Sequence, residues 1–359
     1  MKKLVALTLA LMLVLTLFAI PATAEGVPDI TIKYGVLSML NISEEEIINY
    51  MIAGWNSVTQ MAKAGSAKSN VSDAPMSERT VMPKNVCIYY DTLDAMLMAL
   101  NAGEISSMIV GNTVADYLCA TNSQLVKSFT SGNAGEDNFY SALMTDTFST
   151  QDFSFMLMEG RETLRDEMNT AIAGIKADGT LDQLVADYID AAIAGKDIAP
   201  VEMPKIDGAE TVKVAITGSL PPMDYIAPDG TPAGFNTALL AKISRRINKN
   251  IELIQVDSMG RSAALASGAV DAAFWTRTNN ASNILAELSS EELAATIEEY
   301  KAKMSEEEAA TLERIMGLID LANIGKYDLP DGTIITDSYY ADTIVPVVSA
   351  NLVNAIKGQ

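Results

Sequence analysis

Histidine is absent from the 359-residue chain, and cysteine occurs only at Cys87 and Cys119. The first absence removes the commonest general base, the usual partner of a serine or cysteine nucleophile, and the commonest metal ligand. Two cysteines alone cannot complete a tetrahedral metal site. With no clustered nucleophile either, the chain is expected to be no enzyme and to carry no metal or other cofactor. Cys87 lies in an apolar strand-like run and Cys119 on a helix-like stretch; a disulfide in an oxidising compartment and two buried thiols both fit.

Cations are scarce too. Lys and Arg number 25 against 46 Asp and Glu, for a net charge of −21. Such a surface is repelled by phosphate backbones, which excludes nucleic acid as a partner. Long apolar runs are also few. Only Leu4–Ile20 approaches the ~18 to 20 residues needed to cross a bilayer. It follows Lys2-Lys3 and precedes Ala22-Thr23-Ala24, the form of a secretory signal, so residues 1–24 are expected to be a signal peptide. An uncleaved anchor is the alternative form of the same signal. No cysteine sits near the cut, so there is no lipobox. The mature chain is expected to be secreted or otherwise extracytoplasmic, and not membrane-spanning.

What remains is a core-forming composition, 49% apolar and 20% charged, long enough for two domains. After the signal, "ITIKYGVLSMLN" reads as strand and turn. "SEEEIINYMIAGW" starts a helix whose Ser43 and Glu46 have capping-box spacing. A Ser-rich loop over 62–80 follows. "VCIYY" is a strand, "TLDAMLMALNAG" a helix stopped by Gly103, "ISSMIV" a strand and "TVADYLCATN" a helix. A Gly/Ser/Asn-rich stretch near 131–138 precedes the strand "FSFMLM". Two helices broken at Asp178-Gly179 close this half. Gly195, Pro200, Pro204 and Gly208 mark a linker. The second half predicts strands at 212–216, 251–256 and 270–275, alternating with helices at 236–247 and 260–267. Strand–helix alternation indicates largely parallel sheets covered on both faces. Residues 279–325 instead hold two Ser-x-x-Glu boxes, Ser289/Glu292 and Ser305/Glu308, heading acidic amphipathic helices. "TIITDSYYADTIVPVVSA" ends as a turn and a strand.

The stretch "VKVAITGSLPPMDYIAPDGTPAGFNTALLAKISRRINKNIELIQVDSMGRSAALASGAVDAAFW" resembles the first lobe of the family 3 extracellular solute-binding proteins, which serve ABC importers. The likeness rests on the turn before Pro221-Pro222, Asp229-Gly230, Gly234-Phe235, Leu265-Ala266-Ser267-Gly268 and Val270-Asp271. "TDSYYADTIVPVV" resembles the segment that finishes that lobe. "YYDTLDAMLMALNAGEISSMIVGNTVADYL" and "ETLRDEMNTAIAGIKADGTLDQLVADYI" are similar to the other lobe. The resemblance implies a two-lobed α/β fold of the periplasmic-binding-protein-like type II class, with two mixed or parallel sheets flanked by helices and a helical insertion at 279–325. Residues 25–200 would form the family's second lobe and 201–359 its first. That order is reversed, as in a circular permutation; a truncated tandem is the alternative.

By the same resemblance the protein captures a small polar solute between its lobes for an ABC permease, acting as a monomer. Ligands of open α/β sheets lie at the carboxyl ends of strands, near loops and helix N-termini. That rule names Ser219, Leu220 and Met223 with Gly218 in one turn, and Trp275, Thr276 and Arg277 in a loop. From the first half it names Ser38 to Asn41, and Asn112 and Thr113 beside Gly111. Three departures from the family are evident. Leu220 stands where an aromatic often stacks on an amino acid. The place of the carboxylate-binding arginine falls near Leu285 and Glu287, with only Arg277 close. Gly111 takes the place of an ammonium-binding aspartate. The second functional reading is therefore a degenerate member acting as an extracellular interaction or sensory module.

Overall fold

The computed structural model describes residues 31–44, 47, 84–127, 150–278, 290–302, 306, 309, 313 and 329–351. The signal segment, most of the helix begun at Ser43, the Ser-rich loop, the 131–138 stretch and most of the insertion lie outside these residues. Within the insertion a helix runs over Ser290–Lys301, with Glu292, Glu298 and Glu299 exposed.

Thirteen strands are described. They are β1 (Thr31–Leu37), β2 (Lys84–Tyr90), β3 (Ser107–Gly111), β4 (Leu125–Lys127), β5 (Thr150–Met158), β6 (Thr211–Ile216), β7 (Ser219–Leu220), β8 (Asp224–Ile226), β9 (Pro232–Ala233), β10 (Asn250–Gln255), β11 (Ala272–Thr278), β12 (Thr333–Ile335) and β13 (Tyr340–Ser349). The helices are α1 (Leu93–Ala102), α2 (Asn112–Thr121), α3 (Glu162–Ala177), α4 (Thr180–Leu184), α5 (Phe235–Ile247), α6 (Gly260–Ala266) and α7 (Ser290–Lys301). A single turn at Ser38–Leu40 follows β1, and α4 runs on through a π turn at Val185–Asp190 to Ile193.

The large sheet runs β10-β6-β11-β5-β13-β3-β1-β2, with β12 added to β5 and β4 to β13. Parallel pairs β1–β2, β1–β3, β10–β6 and β11–β6 lie towards its ends, and the antiparallel strands β5 and β13 lie in the middle. Each end therefore repeats one plan: three parallel strands followed by an antiparallel one. The long strand β13 joins the two halves of the sheet. Its residues 340–343 pair with β5, and its residues 344–347 pair with β3. β5 in turn lies against β11 across six residue pairs. The sheet therefore does not divide at residue 200. β5 sits with the strands of residues 211–278, and the far half of β13 sits with those of residues 31–127.

Local sequence explains the elements. β3 ("SMIVG") and most of β5 are buried along their length, as continuous apolar runs require of strands covered on both faces. Leu164, Met168, Ala171, Ile172 and Ile175 line the buried stripe of α3, the spacing of a core-facing helix. Thr92 Oγ1 accepts the Ala95 amide to start α1, and Gly103 stops it at φ 74°. The core centres on a ring cluster: Phe155 stands 5.0 Å from both Phe274 and Tyr339, and Phe235 stands 5.3 Å from Tyr340. The rings come from β5, β11, α5 and the approach to β13, so one cluster ties early and late segments together.

Candidate functional site

Besides their shared strand β13, the two halves touch at the turn that follows β1. The chain leaves β1 through Ser38–Leu40 and reverses at Asn41, whose φ of 52° is a left-handed value that asparagine tolerates. Met39 and Leu40 are buried, with 2% and 1% of their surface exposed. Burial removes their carbonyls from water, so each needs a donor. The donors come from the other half. Thr276 Oγ1 donates to Met39 O at 2.8 Å, and Arg261 Nη2 to the same oxygen at 3.1 Å. Gln151 Nε2 donates to Leu40 O at 3.1 Å. Asn41 answers with its side chain: Nδ2 donates to Thr276 O at 2.8 Å, and Oδ1 accepts from Arg261 Nη2 at 3.2 Å. Thr217 Oγ1 lies 3.7 Å from the Met39 thioether.

Arg261 is the largest fully buried side chain in the described structure, 1% exposed. Its own half holds the guanidinium by two bonds, Nε to Ser258 O at 3.0 Å and Nη1 to Phe274 O at 2.8 Å. The guanidinium also stands 4.9 Å over the Trp275 ring. Burial lowers its pKa to about 10, with Asp224 acting in the opposite sense through space. Asp224 is itself buried. Desolvation raises its pKa, while the bonds its Oδ2 accepts from Gly218 N (3.1 Å), Thr217 N (2.9 Å) and Thr217 Oγ1 (3.0 Å) act in the opposite sense.

Those bonds shape the turn that carries Ser219, Leu220 and Met223. The Pro221-Pro222 peptide is cis, β7–β8–β9 form a three-stranded sheet, and the chain enters α5 through Gly234 at φ 99°. Phe235 N donates to Pro222 O at 3.1 Å and Asn236 N to Met223 O at 2.8 Å. A Cβ on Gly234 would lie 2.7 Å from both carbonyl oxygens. The helix N-terminus is thus pinned to the turn by backbone alone. Leu220 and Met223 are buried, and Ser219 is half-buried.

The remaining candidates fall in two places. Trp275, Thr276 and Arg277 lie within β11, paired with Ser154, Phe153 and Asp152 of β5, and not in a loop. The polar Thr-Arg pair marks a strand end only when the partner strand is ignored; pairing with β5 carries the strand to Thr278. Thr276 is the one of the three bonded to the Met39–Asn41 turn. Trp275 is half-buried under Arg261, and Arg277 Nη2 lies 3.9 Å from Asp152 Oδ2. Asn112 and Thr113 form a separate cluster at the start of α2. Asn112 bonds Asp116 at 3.1 Å and accepts from Lys127 Nζ at 2.9 Å. Thr113 N donates to Asp342 Oδ2 at 2.9 Å, and its hydroxyl bonds the Tyr340 hydroxyl at 2.8 Å. Burial raises the Asp342 carboxyl above its usual range, opposed by the Thr113 and Thr343 amides. A Cβ on Gly111 would lie 2.9 Å from Asp342 Oδ2. The carboxylate that Gly111 lacks is therefore supplied from β13, and it occupies the N–H of α2 expected to face an anion.

Arg261, Gln151, Asp224 and Asp342 were not legible as site residues. Asp342 was the most accessible of them, as a lone charge inside the apolar run "YYADTIVPVV". Arg261 sits in a small-residue helix, where an arginine reads as surface charge. Among the described residues no group of three or more Cys, Asp or Glu could hold a metal ion, and no helix is long and apolar enough to cross a membrane. Cys87 and Cys119 are both free thiols.

Comparison with known proteins finds one family. Residues 212–286 match the model of the bacterial extracellular solute-binding proteins, family 3. No curated protein matches the chain. Among solved structures, the ligand-binding component of an ABC-type import system from Staphylococcus aureus, with zinc bound, is 10% identical. The match covers 92% of this chain and 69% of that one, with a TM-score of 0.36. The periplasmic aliphatic sulphonate binding protein of Escherichia coli is 13% identical over 92% of this chain and 90% of that one, with a TM-score of 0.29. A lipoprotein of Treponema pallidum is 12% identical over 92% and 90%, with a TM-score of 0.32. Over residues 212–286, which hold the Pro221-Pro222 turn, α5, Arg261 and β11 as far as the strand is described, the chain thus shares its sequence pattern with the bacterial extracellular solute-binding proteins of family 3.

Proposed function

We propose that the protein is an exported solute-binding protein that takes a small polar solute at the seam between its halves and delivers it to an ABC permease. One observation carries this reading. Buried polar groups from both halves converge at the Met39–Asn41 turn, with Arg261, Thr276 and Gln151 facing it from the other side. Convergent buried polar groups that include a charge with a displaced pKa make the default candidate for a binding site. The match over 212–286 supports the class of function. Opening of the seam would bend the chain where β13 passes from one half to the other, as hinges at element boundaries do. The lobe order of a circular permutation belongs to the same proposal, as does export after cleavage behind Ala24. Ser219, Trp275 and Arg277 are proposed to lie at the rim.

Thermal melting against a broad library of polar solutes tests the reading. A ligand at ~100 times its Kd adds ~2.7 kcal/mol to stability, a readily measured rise in Tm. A flat response across amino acids, sugars, organic acids and polyamines refutes it. That outcome would favour the second reading, an extracellular interaction module, which draws on the exposed acidic residues Glu292, Glu298 and Glu299 of α7. N-terminal sequencing of exported protein checks the processing: a first residue other than Glu25 refutes cleavage behind Ala24.

A further inference from the structure

We propose that the Met39–Asn41 turn is an internal occupant of the seam, holding the place on Arg261 Nη2 that an anionic oxygen of the solute takes in exchange. The proposal rests on the solute-binding reading above and names how that site is gated and what it selects.

The division of labour around Arg261 points this way. Nε and Nη1 are fixed by Ser258 O and Phe274 O, both from the arginine's own half. Nη2 alone reaches across, and both of its acceptors, Met39 O and Asn41 Oδ1, belong to the turn. Parting the halves therefore leaves the guanidinium anchored and oriented, with the two diverging N–H bonds of Nη2 open to the seam. All four acceptors are neutral oxygens, and among the described residues no carboxylate bonds this buried cation. A buried guanidinium gains more from an ionised oxygen than from neutral amide oxygens. The turn is thus a serviceable partner that an anion can displace.

A second observation lies beside the first. Gln151 is 1% exposed, and its Oε1 has no donor among the described residues. A flip of the amide cannot cure this, because it would set Oε1 against Leu40 O. Beside the turn, at Leu40 O, Gln151 thus holds an acceptor awaiting a donor. An occupant with an anionic end for Arg261 and an N–H or O–H for Gln151 satisfies both.

Trp275 supplies the readout. Its ring lies under the Arg261 guanidinium, and Trp55 is the only other tryptophan in the chain. In a Trp55→Phe background, Trp275 fluorescence is followed during titration with sodium acetate, with acetamide as the neutral isostere and sodium chloride holding ionic strength constant. Asn41→Gly keeps the left-handed backbone while removing the side-chain bonds to Arg261 and Thr276. It is expected to lower the acetate midpoint about tenfold relative to the parent, the effect of losing about one net hydrogen bond of competition. Acetamide is expected to leave the signal unchanged. Arg261→Lys, which keeps charge but not the anchored guanidinium, is expected to raise the midpoint more than tenfold with its melting temperature checked in parallel. Equal midpoints in parent and Asn41→Gly, or equal responses to acetate and acetamide, overturn the proposal; neither comparison depends on the Arg261 variant folding. If acetate is silent while another solute raises Tm equally in parent and Asn41→Gly, the internal occupant is refuted and the solute-binding reading stands. If no solute acts on either, both fall.

Discussion

Replacing Gly234 by alanine puts a methyl group into the closest approach to backbone found at any described glycine. The residue holds φ 99° and ψ 177°, a region populated essentially by glycine, and a side chain there costs about 1–3 kcal/mol in strain. The new Cβ would also lie 2.7 Å from the carbonyl oxygens of Pro222 and Met223. Neither can retreat easily, because Pro222 O accepts from Phe235 N and Met223 O from Asn236 N. Forcing atoms into a filled site costs about 1–3 kcal/mol more, for a total of about 2–6 kcal/mol. Gly230→Ala is the internal control. It too has a positive φ, 84°, but a Cβ there meets nothing within 4 Å, so only strain of about 1 kcal/mol is expected. Urea denaturation followed by far-UV circular dichroism should show the Gly234→Ala midpoint well below that of Gly230→Ala at a common slope. Costs within about 0.5 kcal/mol of each other would mean that the close approach of turn and helix does not matter, and the reasoning would be wrong.

Two further expectations concern the interior. Tyr339→Phe removes the hydroxyl that bonds Asn236 Oδ1 at 3.0 Å and keeps the ring contacts with Phe155 and Phe235. It should cost about 1–2 kcal/mol, since Asn236 is left buried without that donor, and a loss under about 0.5 kcal/mol in urea would contradict this. The Asp342 carboxyl has a raised folded pKa through burial, so its contribution is complete below its unfolded pKa and is lost as pH rises through the folded value. Asp342→Asn should therefore gain on wild type as pH rises from the ordinary carboxylate range to neutrality; a stability difference that stays constant or moves the other way over that range would refute the assignment.

How much of this was legible depends on whether the cause was local. The α1 boundaries could be read because Thr92 and Gly103 are themselves the cap and the stop. The break between α3 and α4 could be read because Gly179 takes φ 78° there. The extent of β11 could not, because Thr276 and Arg277 are strand residues only by virtue of β5. Arg261 illustrates the same limit at the site. Its burial is decided by Met39, 222 positions earlier, and nothing in "SMGRSAALASG" announces a buried cation. Leu220 and Met223 were named from their place in the turn, and both are buried in the core. The pattern therefore exposed the elements, whereas the partners across the seam required the fold.

The shared strand β13 has a consequence for how the molecule comes into being. Neither half of the large sheet is completed without the late strand: β3 and β4 await residues 344–349, and β5 awaits residues 340–343. Such long-range pairing makes assembly slow, because loop closure must precede any gain from contact. A chain halted before Tyr340 would leave the edges of β3 and β5 bare of that strand. Maturation is therefore a single late event for both halves, in which one segment closes two unfinished sheets together.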